Sequence, residues 1–294
     1  MKQICVISGK GGTGKSSITA SLAQASIQPS VIADCDVDGA NSALFFEGTD
    51  IEHTDFVSGS RAHIDTDDCT QCGRCIKVCR FNAITSSADK YSVNSLACEG
   101  CHACAVICPS DAVQFIENTV GMIFRRTIKT GELIHARLHP AQDNSGKLVS
   151  KVRDRAKEVA AELNIKQIWI DGPPGIGCPV HAAISNVNAA VIVTEPSVSG
   201  IHDLERVSAL CSHFGVPIMV VINKFDLSAS RTAEIEHFLG LQNAPIVGKI
   251  PFDKQIPLAQ CEGKTLFQMD AHNATIHAIY NEIDTRIGIL HSSK

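Results

Sequence analysis

The chain has 294 residues, 44% of them hydrophobic and 19% charged, with a net charge of −5. This supplies a sizeable core and excludes a disordered chain; the acidic balance and 5% aromatic content exclude a basic, base-stacking nucleic-acid platform. No run of 18 apolar residues occurs, so no spanning helix and no stable membrane association are expected, and the chain is read as cytoplasmic. Thirteen cysteines are many for that compartment, where disulfides are disfavoured and clustered thiols read first as metal ligands.

The apolar run over 3–7 predicts a first strand rather than a signal peptide. A glycine loop follows, then helical spacing from Lys15 to Ser26. A second strand over 31–33 ends in Asp34-Cys35-Asp36-Val37-Asp38. The pattern stops near residue 58. It resumes with a hairpin in 120–138 around Lys129-Thr130-Gly131, a polar loop at Asn144-Ser145-Gly146-Lys147 and a helix over 148–163. A buried strand at 168–170 runs into Asp171-Gly172-Pro173-Pro174-Gly175. Strands at 189–193 and 218–222 alternate with helices over 180–187, 200–213 and 230–238. Alternation of this kind predicts an α/β fold, a doubly wound and mostly parallel sheet. Its domain is discontinuous, covering 1–59 and 118–294, with a small α+β domain inserted at 60–117.

Gly9-Lys10-Gly11-Gly12-Thr13-Gly14-Lys15-Ser16 fits G-x-x-x-x-G-K-[ST], with a strand before it and a helix after it. Such a loop wraps backbone N–H groups around phosphate oxygens, helped by the positive end of the helix. Lys15 is expected on the β- and γ-phosphates and the Ser16 hydroxyl on Mg²⁺; Ser17 completes the nucleotide-binding run. The second lysine, Lys10, makes the loop resemble the deviant Walker A of the MinD/ParA family of P-loop ATPases. The resemblance implies that Lys10 crosses an ATP-sandwich homodimer to the other copy's nucleotide. It makes Asp36 the switch I carboxylate that orients the attacking water and joins the Mg²⁺ shell. Asp171 takes the Walker B place on Mg²⁺, and Gly172 to Gly175 resembles switch II. Asn223, with Pro251 and Phe252, lies where the family lines adenine. Asn223-Lys224-Phe225-Asp226 also resembles the N-K-x-D signature of GTPases; the two-lysine loop favours ATP.

The inserted segment holds two copies of one unit. Cys69, Cys72, Cys75 and Cys79 have the spacing C-x2-C-x2-C-x3-C, and Cys98, Cys101, Cys104 and Cys108 repeat it 29 residues later, with Pro109 following. This is the two-cluster bacterial ferredoxin pattern, in which the fourth cysteine of each run serves the other cluster. One [4Fe–4S] cluster would use Cys69, Cys72, Cys75 and Cys108, and the second Cys79, Cys98, Cys101 and Cys104. Zinc is the alternative, but its sites take two close pairs separated by a longer loop. Arg80 stands where proline would follow Cys79, a cation that would raise a neighbouring potential.

Cys178, just past the switch-like segment, reads as a transfer thiol or shared-metal ligand, or as a packed small residue. The last helix, about 273–290, places Ile276, Ile279, Tyr280, Ile283, Ile287 and Leu290 on one face. Its other face lacks the basic residues of a membrane anchor, so core packing is expected. Together these features resemble a MinD-type ATPase carrying a ferredoxin insertion, with ATP, Mg²⁺ and two [4Fe–4S] clusters as cofactors. The expected function is ATP-gated electron transfer to a partner metalloprotein. A cluster-delivery ATPase acting on an acceptor protein is the alternative, and MinD/ParA-type positioning is a lesser one.

Overall fold

The computed structural model describes residues 1–87, 90–140 and 145–292. The chain divides into two units. The first holds Met1–His53, Ile123–Arg137 and Ser145–Lys294, and the second Thr54–Met122 and Leu138–Asn144.

The first unit is built on β1 (Lys2–Ser8), α1 (Lys15–Ala25) and β2 (Ser30–Asp34). After an intervening stretch, the alternation resumes with α4 (Ser145–Glu162), β8 (Gln167–Pro174), α5 (Cys178–Ile184), β9 (Ala189–Thr194) and α6 (Val198–His213). It closes with β10 (Ile218–Asn223), α7 (Ala229–Leu241), β11 (Ile246–Ile250), α8 (Gln255–Cys261) and α9 (Asp270–Ser292). The sheet order is β11-β10-β9-β1-β8-β2-β7-β6-β3, where β3 is Gly48–Ile64, β6 Val113–Ile128 and β7 Gly131–Leu138. Pairings from β11 across to β7 are parallel. Strands of such a sheet are covered on both faces, and β2 and β9 are buried at every position. Alternate residues choose the face: Ile4, Val6, Ile32 and Trp169 pack against Ile18 and Leu22 of α1 and Ile276, Ile279 and Ile283 of α9. The expected apolar face of α9 is therefore core, although Leu290 at its end is 36% exposed.

The expected strands and helices of this unit are present, with ends moved by a few residues. One expectation is corrected: Ser145, Gly146 and Lys147 form the first turn of α4 rather than a loop. Polar residues suit that turn because its N–H groups have no partner inside the helix. Asn144 lies outside the described residues.

The second unit holds the outer part of β3, then α2 (Arg74–Val78), β4 (Ile84–Ser87), β5 (Lys90–Val93), α3 (Ala103–Val106) and the first part of β6. β4 and β5 pair antiparallel. Its small core joins Ala62, Ile64, Ile84 and Val113 to Cys75 and Cys104. Three pairs of left-handed residues mark the repeat: Gln71 and Gly100 (φ 56° and 62°), Gly73 and His102 (70° and 63°), Asn82 and Asp111 (51° and 53°). Each pair is 29 residues apart, so both copies fold their loops with the same turns. β3 was not foreseen. Residues 48–55 are mostly polar and exposed, so no buried alternation announces a strand.

Candidate functional site

The glycine loop leaves β1 and enters α1 through Gly14, which is left-handed at φ 90° and has no room for a Cβ, since one would meet Asn223 Nδ2 at 2.6 Å. Asn223 Nδ2 in turn donates to the Thr13 carbonyl at 2.7 Å. A cavity of about 680 Å³ is lined by Lys10 to Ser17 together with Asp36 and Asn41. A second, of about 570 Å³, is lined by Asn223, Pro251, Phe252, Ile256, Pro257 and Leu266, among others. Gly12, Gly14, Ser17 and Gln260 border both, so the two are continuous. A polar, backbone-rich basin thus opens beside a more enclosed and more apolar slot, an arrangement that suits a phosphate chain and a planar base.

Lys15 is buried, and its Nζ lies 2.8 Å from Asp171 Oδ1 and 3.3 Å from Asp36 Oδ2. Burial alone would lower its pKa, but the Asp171 and Asp36 carboxylates outweigh that and raise it. Thr19 and Ser42 hydroxyls donate to Asp171 at 3.1 and 3.3 Å. Ser16 accepts from Lys15 Nζ at 3.2 Å. Asp36 is half-buried, and burial raises its pKa despite Lys15. Asp34 is wholly buried. It accepts the Asp36 and Ser42 backbone N–H groups, and burial together with the Asp171 charge pushes it up to about 7. Asp34 thereby ties down the segment that carries Asp36.

Lys10 does not hang free. Its Nζ lies 2.7 Å from Glu195 Oε1 and donates to Ser197 and Ser199 hydroxyls at 3.0 and 2.9 Å. Lys224 reaches the other Glu195 oxygen at 2.8 Å. Burial works against the charge on Glu195, but the two lysines hold its pKa below the ordinary value. Glu195 is a site residue that the sequence alone did not single out. Asp226, the last residue of the N-K-x-D run, accepts the Phe252 backbone N–H at 2.7 Å. Cys178 is exposed, as the first residue of α5, and not packed away.

In the second unit the eight clustered cysteines sort into two hollows. Cys69, Cys72, Cys75 and Cys108 line one of about 310 Å³. Cys79, Cys98, Cys101 and Cys104 line another of about 320 Å³. The fourth cysteine of each run thus borders the hollow of the other run. Burial raises the Cys75 and Cys104 thiols. Burial also acts on Cys108, but hydrogen bonds from the Ser110 N–H and hydroxyl and from the Ala112 and Val113 N–H groups lower it. Ala83 N–H donates to Cys79 Sγ at 3.4 Å and Ala62 N–H to Cys98 Sγ at 3.5 Å. Arg80 borders neither hollow. Among the described residues, no three His, Cys, Asp or Glu side chains are grouped as a bound metal ion would need. No described helix is long and apolar enough to cross a membrane.

A parallel α/β sheet with a glycine loop between β1 and α1, and a carboxylate at the end of β8, defines a P-loop nucleotide-binding protein. The comparisons narrow this. The CobQ/CobB/MinD/ParA nucleotide binding domain matches residues 4–266, and the chain belongs to that family, whose MinD/ParA members are ATPases. An uncharacterised protein of Methanocaldococcus jannaschii is 36% identical over 259 residues, covering 87% of this chain and 86% of its own. A second protein from that organism is 26% identical over 96% of this chain and 98% of its own. The septum site-determining protein MinD of Pyrococcus horikoshii, solved with Mg-ADP, has a TM-score of 0.58 at 18% identity, covering 98% of each chain. That last likeness speaks for the fold alone.

Proposed function

We propose that the protein is a Mg²⁺-dependent ATPase whose ATP-sandwich dimer governs electron transfer from two [4Fe–4S] clusters to a partner metalloprotein. The observation that carries this reading is the sorting of eight cysteines into two hollows of four, each completed by the last cysteine of the other run. The donor set fits the group: four thiols per hollow, apolar walls, and backbone N–H groups aimed at sulfur. Cys69, Cys72, Cys75 and Cys108 would hold one cluster, and Cys79, Cys98, Cys101 and Cys104 the other. When bound, the clusters supply one-electron redox chemistry.

On the nucleotide side, the loop from Gly9 to Ser17 cradles the phosphates. Lys15 leaves Asp171 and Asp36 to meet them. Ser16, Asp36 and Asp171 are then free to hold the Mg²⁺ shell, and Asp36 orients the water. Asn223 borders the base slot with Pro251 and Phe252. Lys10 leaves Glu195 and reaches the other copy's phosphates.

Anaerobic reconstitution, iron and sulfide analysis and EPR test the reading. About eight irons and eight sulfides per chain are expected for two cubanes. Iron-replete protein without any cubane signal would overturn it. Delivery of a metal or cluster is the second reading, favoured by the exposed Cys178 thiol. Under it, Cys178→Ser stops iron transfer to an apo-acceptor while ATPase activity stays; under the first, Cys178→Ser leaves electron transfer intact.

A further inference from the structure

The repeat provides an internal control. Thr70 and Glu99 each follow the first cysteine of a run, and Arg74 and Ala103 each precede the third. All four residues line the hollows, Thr70 and Arg74 the first, Glu99 and Ala103 the second. Setting the thiols aside, Arg74 is the one charged residue among those lining the first hollow, and Glu99 the one among those lining the second. At matched places, therefore, one hollow has a cation and a neutral residue, the other an anion and a neutral residue.

Outside the hollows the repeat is only partly balanced: Asp67 and Asp68 precede Cys69 where Leu96 and Ala97 precede Cys98, but neither aspartate lines the first hollow, and Ser110 and Val113 add donors to Cys108 on the same side as Arg74. Ala83 N–H donates to Cys79 and Ala112 N–H, at the equivalent place, to Cys108. The bond from Ala62 to Cys98 favours an electron in the second hollow. It is one neutral donor set against a difference of two unit charges. Net charge and hydrogen bonds to sulfur are the protein's levers on potential, and a charge beside the site outweighs a neutral donor.

Resting on the iron–sulfur reading above, we propose that Arg74 and Glu99 set the two hollows to different reduction potentials, so that an electron entering this unit settles in the hollow of Cys69, Cys72, Cys75 and Cys108. The step balances simply. One electron leaves the reduced group held by Cys79, Cys98, Cys101 and Cys104, which returns to its oxidised form, and the other group gains it. No proton or co-reactant takes part. Internal transfer then runs from the second hollow to the first.

An EPR-monitored titration of the full-length, reconstituted protein with dithionite tests this. Two one-electron waves are expected, at least tenfold apart in occupancy, about 59 mV. Cys108→Ser removes the first hollow's group, so the wave that is lost identifies it. Arg74→Ala lowers the upper wave alone, Glu99→Thr raises the lower wave alone, and the double variant draws the two together. Both residues are exposed, so the variants are expected to fold. Coincident waves in the unaltered protein, or fully loaded variants whose potentials do not move or move in the other wave, overturn the assignment while leaving the iron–sulfur reading standing. Absence of any cubane signal removes both.

Discussion

Glu195→Gln is predicted to tighten ATP-dependent dimerisation. Lys10 can serve another copy's phosphates only after leaving Glu195, which holds it at 2.7 Å. The Lys10 and Glu195 side chains are 29% and 17% exposed, so the pair is neither fully solvated nor fully buried. A pair of this kind contributes about 1 kcal/mol. A symmetric dimer breaks two, so about 2 kcal/mol, or roughly 30-fold in the dimerisation constant, opposes assembly. Glutamine keeps the shape and removes the charge. Sedimentation velocity over a dilution series, with a saturating non-hydrolysable ATP analogue, measures the effect. Lys224→Met is the control, since it leaves the Lys10–Glu195 pair in place and is expected not to tighten the dimer. Unchanged or weaker dimerisation of the glutamine variant would refute the reasoning.

Three further outcomes follow from the same geometry. Asp34, pushed up to about 7 by burial and Asp171, binds a proton in the folded state that the unfolded chain has released above about pH 4. Its contribution to the nucleotide-free protein is therefore full below about pH 4 and is lost as pH rises through 7, on the order of 4 kcal/mol at most. Urea melts from pH 5 to 8 should show that slope, flattened in Asp34→Asn. Gly100, at φ 62°, has the Ser60 carbonyl where a Cβ would stand, so Gly100→Ala should cost on the order of 2 kcal/mol by thermal melting. Gln71 at the matching place already carries a side chain, so Gln71→Gly should be nearly neutral. Cys108→Ser, although 29 residues past the first run's Cys79, should remove cluster iron from the hollow of Cys69, Cys72 and Cys75 and not from its own run's, by iron analysis and EPR.

The phosphate loop was readable because glycines and two lysines at fixed spacing leave little room for another arrangement. The cysteine spacing anticipated how the eight thiols sort between the two hollows. The grip on Lys10 was not readable, because Glu195, Ser197 and Ser199 are brought to the loop by the return of β9 beside β1, a tertiary event with no local signature. The same holds for Ser42 on Asp171, 129 residues away in sequence. β3 escaped because its first half is solvated and carries no periodic apolar signal. Arg80, the cation picked out beside Cys79, borders neither hollow; Arg74, inside the first run, does, and only the fold distinguishes them.

If clusters are bound as proposed, linkage makes their coupling to nucleotide measurable twice. Nucleotide can bias the clusters only through a difference in affinity between two states of the chain. Asp34 and Asp36 stand at the end of β2, and the chain then passes through Ser42, which touches Asp171, before entering β3. Any change at this segment on binding MgATP is thus made in the stretch of chain that leads to Cys69. If the ATP analogue shifts a cluster potential by about 30 mV relative to MgADP, half of the 59 mV that corresponds to tenfold for one electron, the coupling factor is about threefold. Reduction must then change the ratio of the two nucleotides' affinities by the same threefold factor. Calorimetry on oxidised and reduced protein reads that ratio without reference to any potential. Agreement of the two numbers would establish that nucleotide and clusters are energetically coupled; a shifted potential with an unchanged affinity ratio would break the cycle and show that the two preparations differ in more than nucleotide.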